Sequence, residues 1–217
     1  MQGVFMEDLE TWLQRVYQAG GDRQRLDALY DEWADDYDRQ IWASGNPYIA
    51  IAAGFVGRHV PDFDARILDA GCGTGNMAQI LHQIGYRNLD GLDPSQGMLA
   101  IAQRKKIYQH LYPFSLGAKV DLDESGYDAV VAAGVLTHGH APPESLEGIL
   151  GLVASGGVVI FSLSSPAYEE YGFKEKIAAL ETAGAWDKLG QSLLFPTYPF
   201  SELESALRHW VMAYQKA

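Results

Sequence analysis

A single cysteine in 217 residues rules out an internal disulfide, and with no cluster of Cys and His the sequence offers no zinc site. A chain without disulfides suits a reducing compartment, so a cytoplasmic location is expected. No apolar run is long enough and free enough of charge to span a bilayer. The opening MQGVFMEDLE is acidic and lacks the basic and apolar segments of a secretory signal. Basic residues are scarce too: 16 Lys and Arg stand against 28 Asp and Glu, a net charge of −12. Such a surface repels phosphate backbones, so neither a nucleic-acid nor a membrane partner is expected. The densest basic run, Arg104-Lys105-Lys106, ends an expected helix and reads as a solvated helix terminus, where cations suit the macrodipole. Internal repeats and low-complexity linkers are absent as well.

What is present is an alternation of two textures. The first 60 residues carry helical periodicity over 7–19, 23–43 and 48–60; in the second stretch Leu26, Leu29, Tyr30, Trp33 and Tyr37 fall on one face. From Pro61 short apolar strands alternate with helices. Strands are expected at 66–70, 88–92, 112–116, 127–133 and 157–163, with helices at 75–84 and 95–106. That interval predicts an α/β fold with a doubly wound, mostly parallel sheet. Toward the end a helix is expected at 174–183, a strand at 189–195, a short helix at 201–207 and a last strand at 210–215. The final connection is too tight for a full crossover, so one of the last two strands should run antiparallel at the sheet edge. The expectation is seven strands in one domain, 1–217: a helical lid (1–60), a ligand-binding core (61–164), and a sheet edge with a substrate loop at 165–217.

The stretch LDAGCGTGN (68–76) sits where the first strand ends and the next helix begins, the edge at which doubly wound folds bind ligands. Glycines there let the chain turn sharply and let a ligand approach the backbone. Their spacing is G-x-G-x-G, with Asn76 beyond; a dinucleotide fingerprint requires G-x-G-x-x-G and a phosphate loop a Lys, and neither fits. Asp93, in LDGLDPSQGML (89–99), falls at the end of the second strand. A carboxylate there accepts from both hydroxyls of a ribose or, in the plainer reading, caps the following helix.

These motifs together resemble the class I S-adenosylmethionine-dependent methyltransferases. ILDAGCGTG (67–75) is similar to their first motif, GLDPSQGML (91–99) to the ribose motif, YDAVVAAGVLTH (127–138) to the fourth-strand motif and SGGVVIFSL (155–163) to the fifth. YDEWADDYDRQIW (30–42) resembles the N-terminal helix of small-molecule members, and RKKIYQHL (104–111) is similar to the Williams–Beuren region 27 methyltransferase-like subgroup. The resemblance implies a Rossmann-like methyltransferase fold, S-adenosylmethionine as cofactor, and methyl transfer to an oxygen, nitrogen or sulfur of a small molecule, with no metal, by a monomer or homodimer.

It also implies site residues. Asp69 orders the loop and approaches the methionyl ammonium; Gly71, Cys72 and Gly73 belong to the cofactor loop, with Cys72 as a small buried filler. Asp93 holds the ribose, Pro94 and Met98 pack near the adenine, and Ala133 and Gly134 line the pocket near the sulfonium. Tyr30 and Tyr37 either fold over the cofactor or pack the core. Many relatives hold the adenine amino group with an acidic or amide side chain; here Leu116 and Gly117 stand at that place, leaving main-chain atoms for the task. His138 is either a general base or a loop anchor, and His140 is expected to be exposed. Trp33, Trp42, Tyr168, Tyr171 and Tyr198 are the candidates for the acceptor site. Two other readings stay open at this point: a non-catalytic cofactor-binding module, and a nicotinamide-dependent oxidoreductase.

Overall fold

The computed structural model describes residues 7–116, 126–137, 139–201, 204 and 206–217. Helices α1 (Leu9–Gln18), α2 (Arg23–Ala43) and α3 (Tyr48–His59) come first. Asp8 and Asp22 start the first two, each accepting a hydrogen bond from a first-turn amide. Then follow β1 (Ile67–Ala70), α4 (Asn76–Ile84), β2 (Leu89–Leu92), α5 (Gln96–Lys105), β3 (His110–Tyr112) and β4 (Tyr127–Leu136). The chain ends with α6 (Ser145–Leu152), β5 (Val153–Ser164), α7 (Ser165–Glu170), α8 (Phe173–Thr182), β6 (Trp186–Gln191), β7 (Phe195–Pro196) and β8 (Arg208–Lys216).

The strands form one sheet in the order β3-β2-β1-β4-β5-β8-β6, with β7 paired to β8. The five strands from β3 to β5 are parallel; β8 runs antiparallel to β5 and to β6. Alternation decides which side chain faces which layer. Ile67, Ala129, Val131, Val158 and Ile160 pack against α3 and α4. Leu68, Val130, Ala132, Val159 and Phe161 pack against α6 and α8. At the far edge, Trp186 of β6 stacks on Tyr214 of β8 (centroids 4.2 Å apart), which stacks on Phe161 of β5. Such pairs add roughly 0.5–1.5 kcal/mol to the burial of the rings.

The antiparallel last strand is therefore present, but among the described residues the sheet has eight strands, not seven, and β8 lies one position inside the edge. The strand expected at 189–195 starts earlier, at Trp186, and its tail is the separate two-residue β7. The third strand is shorter and starts earlier than 112–116, because Gln109 and His110 are drawn to Leu89 and Asp90. Among the described residues of 201–207 no helix forms. Part of the stretch expected as a substrate loop is helix α7, capped by Ser164.

Of the stretch expected as a lid (1–60), α3 packs in the sheet core, which leaves the α1–α2 pair, closed by its own cluster around Trp12, Leu13, Leu26, Leu29 and Trp33. It docks on the core through an acidic side chain. Asp31 Oδ1 accepts from the Ser95 hydroxyl (2.6 Å) and from the Gly97 amide (2.7 Å) at the start of α5. Only glycine fits there: a Cβ on residue 97 would lie 2.8 Å from Asp31 Cα. Gly97→Val should cost about 1–3 kcal/mol of overpacking strain. Hydrogen exchange is the check: amides of residues 23–43 should lose protection while β1, β4 and β5 keep theirs.

Candidate active site

Three features build a cavity at the carboxyl edge of the sheet. The first is the β1–α4 loop, where Gly71, Gly73 and Gly75 all adopt left-handed φ values (+81°, +52° and +88°). The amides of Gly71 and Cys72 both donate to Leu92 O, at 2.7 and 2.9 Å, so the loop hangs from the end of β2. The second is Asp93. Its Oδ2 accepts from Gly73 N and its Oδ1 from Ser95 N, both at 2.9 Å. Burial pushes its pKa up to about 6, against the lowering effect of those two amides. Ser95, rather than Asp93, caps α5, accepting from Met98 N. Asp93 instead ties the two strand-end loops together and keeps lone pairs for a ligand.

The third feature is a break in β4. From Ala132 to Leu136 it advances four positions where β5 advances two, from Phe161 to Leu163. Gly134 stands in this bulge with φ +78°, and its amide donates to Ser162 Oγ at 2.7 Å. A Cβ there would sit 2.6 Å from the Tyr48 hydroxyl.

Around these features the structure brings together Tyr30, Tyr37, Gly71, Gly73, Asp93, Pro94, Met98, Leu116, Ala133 and Gly134 along one cavity wall. All were expected in the cofactor site. Asp69 and Cys72 are not on that wall. Asp69 lies behind the loop, accepting from Tyr108 Oη (2.6 Å) and from the Ala78 amide of α4; burial pushes its pKa up to about 7. Cys72 is buried with its Sγ toward Gly91, and burial holds the thiol well above its usual range. Gly117 and His138 lie outside the described residues.

A second cavity, of about 260 Å³, adjoins the first and shares Tyr30, Tyr37, Gly134 and His140 with it. Trp33, Tyr171 and Tyr198, three of the acceptor-site candidates, reach it. Trp42 and Tyr168 do not. Trp42 is on the outer face of α2, 45% exposed. Tyr168 packs edge-to-face on Trp210, with Lys174 over its ring, against the α6–α8 layer. Burial raises the pKa of Tyr30, Tyr37, Tyr48 and Tyr198, so their phenols stay protonated.

His140 is half-buried at the junction, not exposed. The Tyr30 hydroxyl lies 2.8 Å from its Nε2 and Thr137 Oγ1 lies 2.8 Å from its Nδ1. Lys105 also departs from expectation. Rather than ending a helix in solvent, it pairs with Asp38 at 2.7 Å and donates to Asn76 Oδ1 at 2.9 Å, while Thr74 donates to Asp38. The lid is thus fastened to the glycine loop as well as to α5. Tyr48, Tyr108, Thr197 and His209 were not read from the sequence. Tyr48 opens a helix directly after Asn46-Pro47; the others are single polar residues in apolar settings and carry no local signal.

A family model described as a methyltransferase domain matches residues 53–213. Human methyltransferase-like protein 27 is 34% identical over 168 residues, covering 74% of this chain and 68% of that protein. The chain spans less than half the length of the other curated relatives it matches. In three dimensions it is similar to a TehB-like SAM-dependent methyltransferase from Corynebacterium glutamicum, with a TM-score of 0.64, 19% identity, and 88% of this chain and 99% of that one covered. It is also similar to Burkholderia thailandensis 1,6-didemethyltoxoflavin-N1-methyltransferase, solved with 1,6-didemethyltoxoflavin and S-adenosylhomocysteine, with a TM-score of 0.62, 20% identity, and 88% and 87% covered. With a domain match over most of its length and a relative at this identity, the chain belongs to the class I S-adenosylmethionine-dependent methyltransferases.

Proposed function

We propose that the first cavity holds S-adenosylmethionine, the second holds a small-molecule acceptor, and the methyl passes between them at Gly134 to an oxygen, nitrogen or sulfur nucleophile by in-line displacement. The observation that supports this is the sharing of Tyr30, Tyr37, Gly134 and His140 by two adjoining cavities. A donor site and an acceptor site must meet at the transferred atom, and orientation is the main catalytic term for such a reaction.

The residues present fit the cofactor. Asp93 presents a carboxylate at the end of β2, and a Cβ on Gly73 would meet nothing within 4 Å, so bare backbone faces open space. When bound, S-adenosylmethionine supplies a methyl group activated by its sulfonium. Asp93 accepts from the ribose hydroxyls, Pro94 and Met98 flank the adenine, and main chain near Leu116 serves its amino group. Tyr30 and Tyr37 close over the site from α2, with uncharged phenols that exclude water. Asp69 acts indirectly, holding α4 and the loop in place.

A cavity of about 260 Å³ walled by the lid and by Thr197, Tyr198, Glu204, Leu207 and His209 suits a small acceptor, not a polymer. The acidic charge speaks equally against nucleic acid. A monomer or homodimer is proposed, with both cavities carried by one domain. A cytoplasmic setting is proposed with it; no helix of the described residues is long and apolar enough to cross a membrane. A general base is needed only for an acceptor that carries a proton, and His138 and the junction residue His140 are the candidates.

Asp93→Asn should weaken S-adenosylhomocysteine binding by about 1.5–3 kcal/mol, the scale of a hydrogen bond to a charged group, as read by calorimetry. The wild-type affinity should also depend on acid. The raised pKa means Asp93 is protonated in the free protein below about pH 6, and ribose hydroxyls bind its charged form. Affinity should be flat above pH 7 and fall by up to about tenfold per unit below pH 6; an acid-insensitive affinity would remove Asp93 from the ribose. The reaction itself is tested with isotopically labelled methyl donor and a small-molecule extract. A labelled compound of low mass is expected. Cofactor binding with no labelled product from extract, or from a panel of thiols, phenols, carboxylates and amines, would favour the non-catalytic reading instead.

A further inference from the structure

Among the described residues, His209 is the one buried imidazole on the acceptor cavity that has a ring nitrogen with no hydrogen-bond partner. It lies on β8, opposite Ser164 of β5 and Phe195 of β7, and is 2% exposed. Its Nδ1 is 2.6 Å from Thr197 Oγ1, and its ring lies 5.9 Å from that of Tyr48, whose hydroxyl abuts Gly134. Its Nε2 has no hydrogen-bond partner among the described residues.

The direction of the Thr197 hydrogen bond follows from satisfaction. Thr197 is 1% exposed and His209 Nδ1 is the partner of its hydroxyl. If Nδ1 carried the proton, the threonine O–H would be buried with nothing to accept it, a costly arrangement. The hydroxyl therefore donates, Nδ1 accepts, and the neutral ring carries its proton on Nε2. Burial keeps the ring neutral, pushing its pKa down to about 4.

We propose that His209 is the polar anchor of the acceptor site: Thr197 fixes the Nε2–H tautomer, and that N–H donates to a carbonyl oxygen or ring nitrogen on a flat, uncharged acceptor. This rests on the reading of the second cavity as the acceptor site. Flatness follows from the aromatic walls, since Trp33, Tyr37, Tyr48 and Tyr198 line the cavity. Neutrality follows from the charges: among the described residues no Lys or Arg lines the cavity, and its carboxylate, Glu204, already accepts from the Tyr17 hydroxyl. A free anion would be desolvated there without a counter-charge. Thr197 is a positioning residue acting through the imidazole.

Nitrogen-15 NMR of the full chain reads the tautomer directly, with S-adenosylhomocysteine present as the control for the donor site. The expected result is a His209 ring protonated on Nε2 and unchanged between about pH 5.5 and 8. Quinoline, flat with a ring nitrogen, and naphthalene, flat without one, then serve as probes of the complex. Quinoline should bind about 3–10-fold more tightly, the range of one neutral hydrogen bond. That preference should vanish in His209→Leu, shrink in Thr197→Val, where the tautomer is no longer fixed, and persist in His209→Gln, which keeps an N–H donor. An Nδ1–H tautomer, equal affinities, failure of both probes to bind, or a preference surviving His209→Leu would each overturn the proposal. If S-adenosylhomocysteine itself fails to bind, the donor-site reading falls, while the tautomer measurement, which needs no ligand, still decides the role of Thr197.

Discussion

Between Ala132 and Leu136 the pairing of β4 with β5 skips, and the slack is taken up by Gly134 in a left-handed conformation. A regular ladder would close the sheet edge with side chains on alternate faces. The bulge instead turns main chain toward the cleft and lets Tyr48, from the other layer, reach the same point. Both cavities end on this spot, so the place where they communicate is set by a backbone irregularity rather than by any one side chain. Ser162, buried on β5, accepts from the Gly134 amide that the skip would otherwise leave unpaired.

The second dependency is the lid. Helix α2 gives one face to its own aromatic cluster and walls both cavities, so the site exists only while it is docked. Docking uses Asp31 on a backbone amide and a hydroxyl at the start of α5, and Asp38 on Thr74 and Lys105. Exposed ion pairs contribute little, but these carboxylates are partly covered and bind donors fixed by the core. Part of the acidic excess thus has a structural use.

How much of this was legible in the sequence varies with the physics of each part. The strands β1, β2, β4 and β5 are buried on both faces, so they read as short apolar runs, and the glycine loop and Asp93 sit at their ends by topology. Helix α2 was readable to the residue because its aromatic stripe is long. Strand β6, WDKLGQ, alternates poorly because one side lies open at the sheet edge, and its bounds were misplaced. Helix α6, SLEGILGL, carries two glycines that weaken its signal, and it was not foreseen. Trp42 and Tyr168 lie off both cavities because aromaticity alone does not say which face of an element a residue occupies. His140 was misread because only the fold brings Tyr30, 110 positions away, onto its ring.

The two cavities differ in charge in a way that bears on which ligand each takes. The first is flanked by Asp93 and Asp27, with Arg23 at Asp27 as the countering cation. Asp69 stands just behind the loop, and mutual repulsion with Asp93 adds to the burial that raises its pKa. A ligand with a positive centre relieves that repulsion and draws both carboxylates toward their charged forms. The second cavity is walled by buried phenols and a neutral imidazole, with its carboxylate already hydrogen-bonded. Positive charge is therefore favoured on one side of Gly134 and unrewarded on the other. On the proposed reading, the first cavity suits a donor with a positive centre, and the second leaves the nucleophilic atom of an acceptor unpaired with any cation.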